Sequence, residues 1–211
     1  HPLFRGIIQD VGGPTANMYG MKCTRRAAGT CPDRRCLYPE PCTGLDLNHH
    51  RQTELLKRLR ALEGIRKAFV SSGIRYDLVC SDTEHGTAYM DELIPHHVSG
   101  QLKLAPEHCV PAVLSRMAKS GTDSLLEFRD RFSSLSRQAG RRQFLTYYFL
   151  AAHPGCTESD MRKLRSYIDR YLKLTPEQVQ IFTPTPSTWS TLMYYTGSVP
   201  FTGERIYVER D

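Results

Sequence analysis

The sequence predicts an α/β protein built on a parallel sheet, and three observations carry that prediction. Strand-like runs alternate with amphipathic helical patterns at about 35-residue spacing. Several of the strands are apolar throughout, which is the pattern of strands covered on both faces by β-α-β crossovers. The five strand ends read GGPT, SSGIR, APEH, AHPGC and TPTPST, rich in Gly, Pro, His and hydroxyl residues where plain connections would suffice. In parallel α/β sheets, ligands bind at those carboxyl ends.

The first strand is expected over Phe4 to Gln9, ending at Gly12, Gly13, Pro14 and Thr15. Glycines there accept positive φ and let a ligand approach the backbone, although an isolated pair also makes an ordinary turn. Leu55, Leu56, Leu59 and Leu62 predict a helix from about Arg51 to Glu63, stopped by Gly64. Ala68 to Val70 reads as the second strand. Ser81 and Glu84 have capping-box spacing before a helix that carries Tyr89, Met90, Leu93 and Ile94 and closes with His96 and His97.

Gln101 to Leu104 is the third strand. Pro111 suits the first turn of a short helix, and Leu125, Phe128, Phe132 and Leu135 mark one face of a longer one. Gln143 to Leu150 is the fourth and most apolar strand. Thr157 and Asp160 cap a helix bearing Met161, Leu164, Ile168 and Leu172, and Val179 to Phe182 is the fifth strand. Five strands do not close an eight-stranded barrel, so the sheet is open or lacks a unit. The tail, Trp189 to Asp211, shows no helical period and is read as extended, with Ile206 to Val208 able to pair at an edge.

The chain has 211 residues, with 28 Lys and Arg against 22 Asp and Glu, a formal net charge of +6. That excess suits an anionic partner such as RNA, on whose bases Tyr194, Tyr195 and Tyr207 could stack, but dispersed charges also suit a solvated surface and tyrosines also pack. The longest largely apolar run, Phe144 to Ala152, falls short of the roughly 18 residues that span a bilayer, so no membrane partner is expected. Seven cysteines, an odd number, argue for reduced thiols and a cytoplasmic setting. The chain opens on His1 rather than Met, directly before the first strand, so an earlier segment is expected.

Four cysteines, Cys23, Cys31, Cys36 and Cys42, lie in an irregular stretch from Lys22 to Asn48 that is too long for an ordinary connection. Four thiolates suit tetrahedral zinc or an iron-sulfur cluster, and metal binding would supply folding energy that this composition lacks. The alternatives are free thiols or two disulfides, which a reducing compartment disfavours.

Six ordered segments, DVGGPTANMYGMKC, CLYPEPC, VSSGIRYDL, HHVSGQLKLAPEH, AAHPGCTESDM and QVQIFTPTPSTWSTLMYYTG, resemble motifs of the radical SAM superfamily, and within it the YgiQ-like proteins. The resemblance implies a partial parallel (β/α) barrel of the radical SAM type over residues 1–188, with a Cys-rich insertion at 22–48 and the tail at 189–211. It implies S-adenosylmethionine and a 4Fe-4S cluster as cofactors, and a reductant such as flavodoxin or ferredoxin. The superfamily's CxxxCxxC motif occurs nowhere in the 211 residues. The cluster-bearing first unit is therefore expected upstream, and this chain alone is not expected to generate a radical. The four-cysteine loop is then expected to hold an auxiliary iron-sulfur cluster or zinc.

By the same resemblance, Gly12, Gly13, Pro14 and Thr15 match the motif that receives the methionine amino group. Ser71, Ser72 and Arg75 fall where ribose or carboxylate is held, and Lys103 and Glu107 fall where cofactor or substrate is reached. His153, Pro154 and Gly155 match the loop against adenine. His96, His97 and His108 are candidates for proton transfer. The alternative function is a non-catalytic, metal-stabilised module that binds a nucleotide, RNA or a protein.

Overall fold

The computed structural model describes residues 3–13, 15–25, 31 and 36–210. Its contacts divide the chain into two units. The first comprises His1–Cys36, Pro41–Ala105 and Asp123–Thr146; the second comprises Leu37–Glu40, Pro106–Thr122 and Tyr147–Asp211.

In the first unit, strand β1 (Ile7–Ile8) pairs in parallel with β2 (Lys67–Ala68), Ile7 opposite Lys67 and Ile8 opposite Ala68. The ladder continues beyond the strands, with Phe69 N–H donating to the Ile8 carbonyl and Val11 N–H to that of Phe69. The strand expected from Phe4 is cut short by Gly6, at φ 74°, whose carbonyl takes the N–H groups of both Arg66 and Lys67. Helix α1 (His50–Ala61) follows β1 after the cysteine-bearing loop, while α2 (Tyr76–Ser81) and α3 (Gly86–His97) follow β2. Farther along the chain, α5 (Asp123–Gln138) packs on α2 and α3. The core includes Leu56, Leu78, Tyr89, Met90, Leu93, Ile94, Leu125 and Phe128, all fully buried.

Two local expectations are corrected here. Leu62 lies beyond the end of α1, 55% exposed, and the buried face of that helix is Gln52, Thr53 and Leu56. Ser81 ends α2 instead of capping α3; the carboxylate of Asp82 takes the His85 N–H at 2.9 Å, next to the first residue of α3. Gly86 is required there because a Cβ would meet the Val79 carbonyl at 2.2 Å.

A three-stranded sheet has the order β3 (Gln101–Glu107), β4 (Phe144–Ala151), β5 (Gln178–Ile181). β4 and β5 are parallel, with Tyr148 opposite Gln178 and Ala151 opposite Ile181. The fold is thus α/β with parallel sheets. In the second unit, α4 (Pro111–Arg116) begins at Pro111 as its fixed φ favours. Helix α6 (Glu158–Tyr167) carries the full capping box, Thr157 accepting from Asp160 N–H and Asp160 from Thr157 N–H. It continues into a π-helical turn, Ile168–Leu172, ended by Lys173 at φ 54°.

The tail is not wholly extended. It opens with α7 (Trp189–Thr196), capped by the Thr188 hydroxyl and ended by Gly197 at φ 62°. After it, Ser198 and Arg205 form an antiparallel bridge, and Ile206 N–H donates to the Gly197 carbonyl. No helix among the described residues is long and apolar enough to cross a membrane.

Candidate functional site

Because β1 and β2 run side by side in parallel, their carboxyl ends emerge together, and Asp10 ties them. Its carboxylate accepts the N–H of Ser71 at 2.9 Å, the N–H of Ser72 at 3.2 Å and the Ser72 hydroxyl, while the Ser71 hydroxyl donates to the Gln9 carbonyl at 2.8 Å. Burial acts to raise the pKa of Asp10. The Ser72 hydroxyl, the two N–H groups and the Lys103 charge outweigh it and hold the carboxyl below its usual value. Ser71 and Ser72 thus join two strand ends.

Neither Gly12 nor Gly13 adopts positive φ, so the conformational reason expected for them is not the operative one. A Cβ on Gly12 would meet Ser72 Cβ, Ser72 Oγ and Asp10 Oδ1, each at 2.8 Å. Close approach of two loops therefore requires glycine at 12. At Gly13 a Cβ would meet nothing within 4 Å. That open side adjoins a cleft of about 440 Å³ lined by Asp10, Gly12, Gly13, Thr15, Tyr19 and Gln52 among others. Pro14 lies outside the described residues.

A buried polar network holds the wall of this cleft. Asn17, in the short 3-10 turn Ala16–Met18, and His49, before α1, are fully buried, and Asp82 is 6% exposed. His49 donates from Nδ1 to Asp82 at 2.7 Å, and its backbone N–H donates to the same oxygen at 2.8 Å. That tautomer leaves Nε2 to accept the Asn17 amide at 3.1 Å. Burial lowers the pKa of His49 and outweighs the Asp82 carboxylate, which acts the other way. Sequence reading passed over Asn17, His49 and Asp82 because their partners lie 32 or more residues apart.

Arg75 lies beside this network, but its guanidinium fork is held by Asp77 through Nε at 2.8 Å and through Nη2. Lys103 is exposed on β3. Its backbone carbonyl accepts the Ile74 N–H at 3.0 Å, next to the parallel bridge between Ile74 and Leu104. His97, 1% exposed, donates from Nδ1 to the Ala68 carbonyl at 2.6 Å and lies 3.1 Å from Glu92 through Nε2, so it braces α3 against β2. His96 is only half-buried, and burial lowers its pKa.

In the second unit, the end of β4 forms a separate cluster. His153, 2% exposed, donates from Nδ1 to the Pro154 carbonyl at 2.9 Å and accepts the Ser190 hydroxyl at Nε2 at 2.9 Å, with its ring edge-on to Phe182. Burial pushes its pKa down to about 4. Gly155 sits at φ 84° against Arg116, whose guanidinium donates to the Gly155 carbonyl. His108 accepts the Val110 N–H at Nδ1 and faces the buried Cys156 thiol from Nε2 at 3.6 Å. Burial also takes its pKa down to about 4 and pushes the Cys156 thiol up to about 11. Glu107, at φ 64°, pairs with Lys119 at 2.9 Å.

All seven cysteines are thiols. Cys42 N–H donates to the Cys36 carbonyl at 2.8 Å, Cys23 bridges Leu45, and the Cys42 sulfur accepts the Gly44 N–H at 3.4 Å. The backbone therefore brings the segments bearing Cys23, Cys36 and Cys42 to one turn. Among the described residues, no three His, Cys, Asp or Glu side chains are gathered as a metal site.

No protein-family model matches the chain. Over all 211 residues it is 53% identical to a protein of Fusobacterium nucleatum and 48% identical to one of Methanosarcina mazei. Over 208 residues it is 46% identical to one of Thermotoga maritima. These relatives are named UPF0313 proteins. The chain covers 37%, 33% and 36% of them respectively, so it spans about a third of the length of the UPF0313 relatives it matches.

Proposed function

We propose that this chain is the S-adenosylmethionine-binding portion of a larger radical SAM enzyme, with its cluster-binding segment upstream. The observation that carries the reading is the cleft of about 440 Å³ at the carboxyl ends of β1 and β2, with Gly13 open beside it. Methionine-moiety recognition by backbone needs that opening, which any Cβ at position 13 would narrow. Consecutive strands are also neighbours, β1 with β2, Ile74 with Leu104 and β4 with β5, as a singly wound (β/α) barrel requires. The greater length of the UPF0313 relatives is consistent with further segments.

In this reading, Gly12, Gly13, Pro14 and Thr15 receive the methionine end of the cofactor. Ser71 and Ser72 act through the Asp10 tie that fixes the loop, and Arg75 takes part by exchanging Asp77 for the ligand carboxylate. Lys103 supplies positive charge near Asp10, and Glu107 is held by Lys119 for a substrate-side role. His153, neutral and edge-on to Phe182, fixes the Pro154–Gly155 turn, the adenine-side element. When bound and reduced, S-adenosylmethionine supplies a radical able to abstract hydrogen from unreactive carbon, and a small redox protein such as flavodoxin or ferredoxin would provide the electron. The Cys23, Cys31, Cys36 and Cys42 loop is proposed to close on an auxiliary iron-sulfur cluster or zinc, the Gly44 N–H stabilising thiolate on Cys42.

The coding sequence ahead of His1 tests this reading. An in-frame CxxxCxxC following a strand pattern supports it. A start codon without that motif leaves a metal-tied binding module in its place.

A further inference from the structure

The second unit carries a groove of about 600 Å³ lined by the turn after β3, Cys109–Pro111, and by α6 with the π-helical turn that extends it. Arg162, Lys163 and Arg170 contribute three cations to its lining, with Tyr167, Tyr171 and Ser166. The two tyrosine rings lie 4.9 Å apart between centroids, and the Arg170 guanidinium sits 5.4 Å from the Tyr171 ring centre, inside cation-π range. Tyr171 is 42% exposed, which puts part of this aromatic and cationic cluster at the surface. The π-helical turn Ile168–Leu172 inserts an extra residue per turn, and such turns recur at functional sites.

The paired cations remain open to a phosphate. Arg162 pairs with Glu158 at 3.0 Å with both side chains more than 70% exposed, and Lys163 pairs with Asp160 at 3.1 Å while 62% exposed. An exposed pair such as Arg162–Glu158 contributes little, and a phosphate can displace its carboxylate; Lys163 keeps its pair with Asp160, whose side chain is 14% exposed, and offers its remaining ammonium N–H donors.

We infer that this groove binds single-stranded RNA, phosphates on Arg162, Lys163 and Arg170 and a base on Tyr171. Cations interleaved with aromatic rings are the chemistry of single-strand recognition. From residue 159 to 171 a helix rises about 18 Å, the length of about five stacked bases at 3.4 Å, which favours a strand over a mononucleotide. The inference is independent of the cofactor reading, since neither the groove nor the assay below involves S-adenosylmethionine.

The test is fluorescence anisotropy of the chain with a labelled single-stranded RNA decamer across salt concentrations. Three neutralised phosphates give a log-log salt slope of about −2. The triple variant Arg162→Ala, Lys163→Ala, Arg170→Ala is expected to raise Kd at least tenfold and flatten the slope. Tyr171→Leu is expected to raise Kd severalfold with the slope kept. A control removing three exposed cations of the first unit, Arg58→Ala, Lys67→Ala and Arg137→Ala, lowers net charge equally and should change Kd far less. Equal loss in both triple variants, no binding by the parent chain, or displacement by uridine monophosphate at decamer-like concentration would each overturn the assignment.

Discussion

Asn17 and Arg75, 58 residues apart, exchange two hydrogen bonds: Arg75 N–H donates to Asn17 Oδ1 at 2.8 Å, and the Asn17 amide donates to the Arg75 carbonyl at 2.9 Å. One side chain thereby acts as a strand rung, and through His49 and Asp82 it links the loop after β1 to both ends of α2. Asn17→Ala removes three hydrogen bonds at once in a buried setting, those with the Arg75 N–H, the Arg75 carbonyl and His49 Nε2. It is expected to cost about 2–4 kcal/mol in urea unfolding at pH 7. Asn17→Asp is expected to fail likewise, because a carboxylate cannot donate to the carbonyl.

The two glycines separate packing from ligand access. Gly12→Ala drives a Cβ into Ser72 and Asp10, and about 1–3 kcal/mol of stability should be lost. Gly13→Ala meets nothing, so thermal unfolding should change by no more than about 0.5 kcal/mol. S-adenosylmethionine binding should nevertheless weaken at least tenfold in the Gly13 variant of the full-length protein, measured by equilibrium dialysis.

Acid should unfold the protein through its buried histidines. Folded His108 and His153 resist protonation down to about pH 4, whereas in the unfolded chain they take protons near pH 6.5. Between those values the unfolded state holds more protons, so stability falls as pH drops from 6.5 to 4. His49, also lowered by burial, adds to the loss. Denaturant midpoints measured across this range should decline, and His153→Gln, if it folds, should decline less steeply.

Thiol reactivity should divide the cysteines. Burial pushes Cys80, Cys109 and Cys156 up to about 11, so they should react with a disulfide reagent only slowly at pH 7.5 in the folded chain. Cys23 and Cys36, both exposed, should react fast without metal. Zinc or a reconstituted cluster should protect Cys23, Cys31, Cys36 and Cys42 together, with mass spectrometry locating the labels.

What the sequence made legible was local. The Thr157 and Asp160 box, Pro111 at a helix start, the Leu125, Phe128 and Phe132 face and the apolar β4 run each sit within a few residues of the group they act on, and each stands in the structure. Helices α2 and α7 escaped because six and eight residues hold too few turns for a period to register. At Gly12 the need for glycine comes from Ser72, 60 positions away, which no local reading of the GG pair could show. The Asn17, His49 and Asp82 network left no trace in any window, since its members meet only once the parallel strands have formed.

The most direct measurement is anaerobic incubation of the gene's full-length product, reconstituted with iron and sulfide, with S-adenosylmethionine and dithionite, followed by chromatography for 5′-deoxyadenosine. The account predicts that 5′-deoxyadenosine forms, and that Gly13→Ala abolishes most of it while leaving the thermal unfolding midpoint in place. A fully reconstituted protein that yields none, or a Gly13→Ala variant that yields as much as the parent, would contradict the assignment of this cleft.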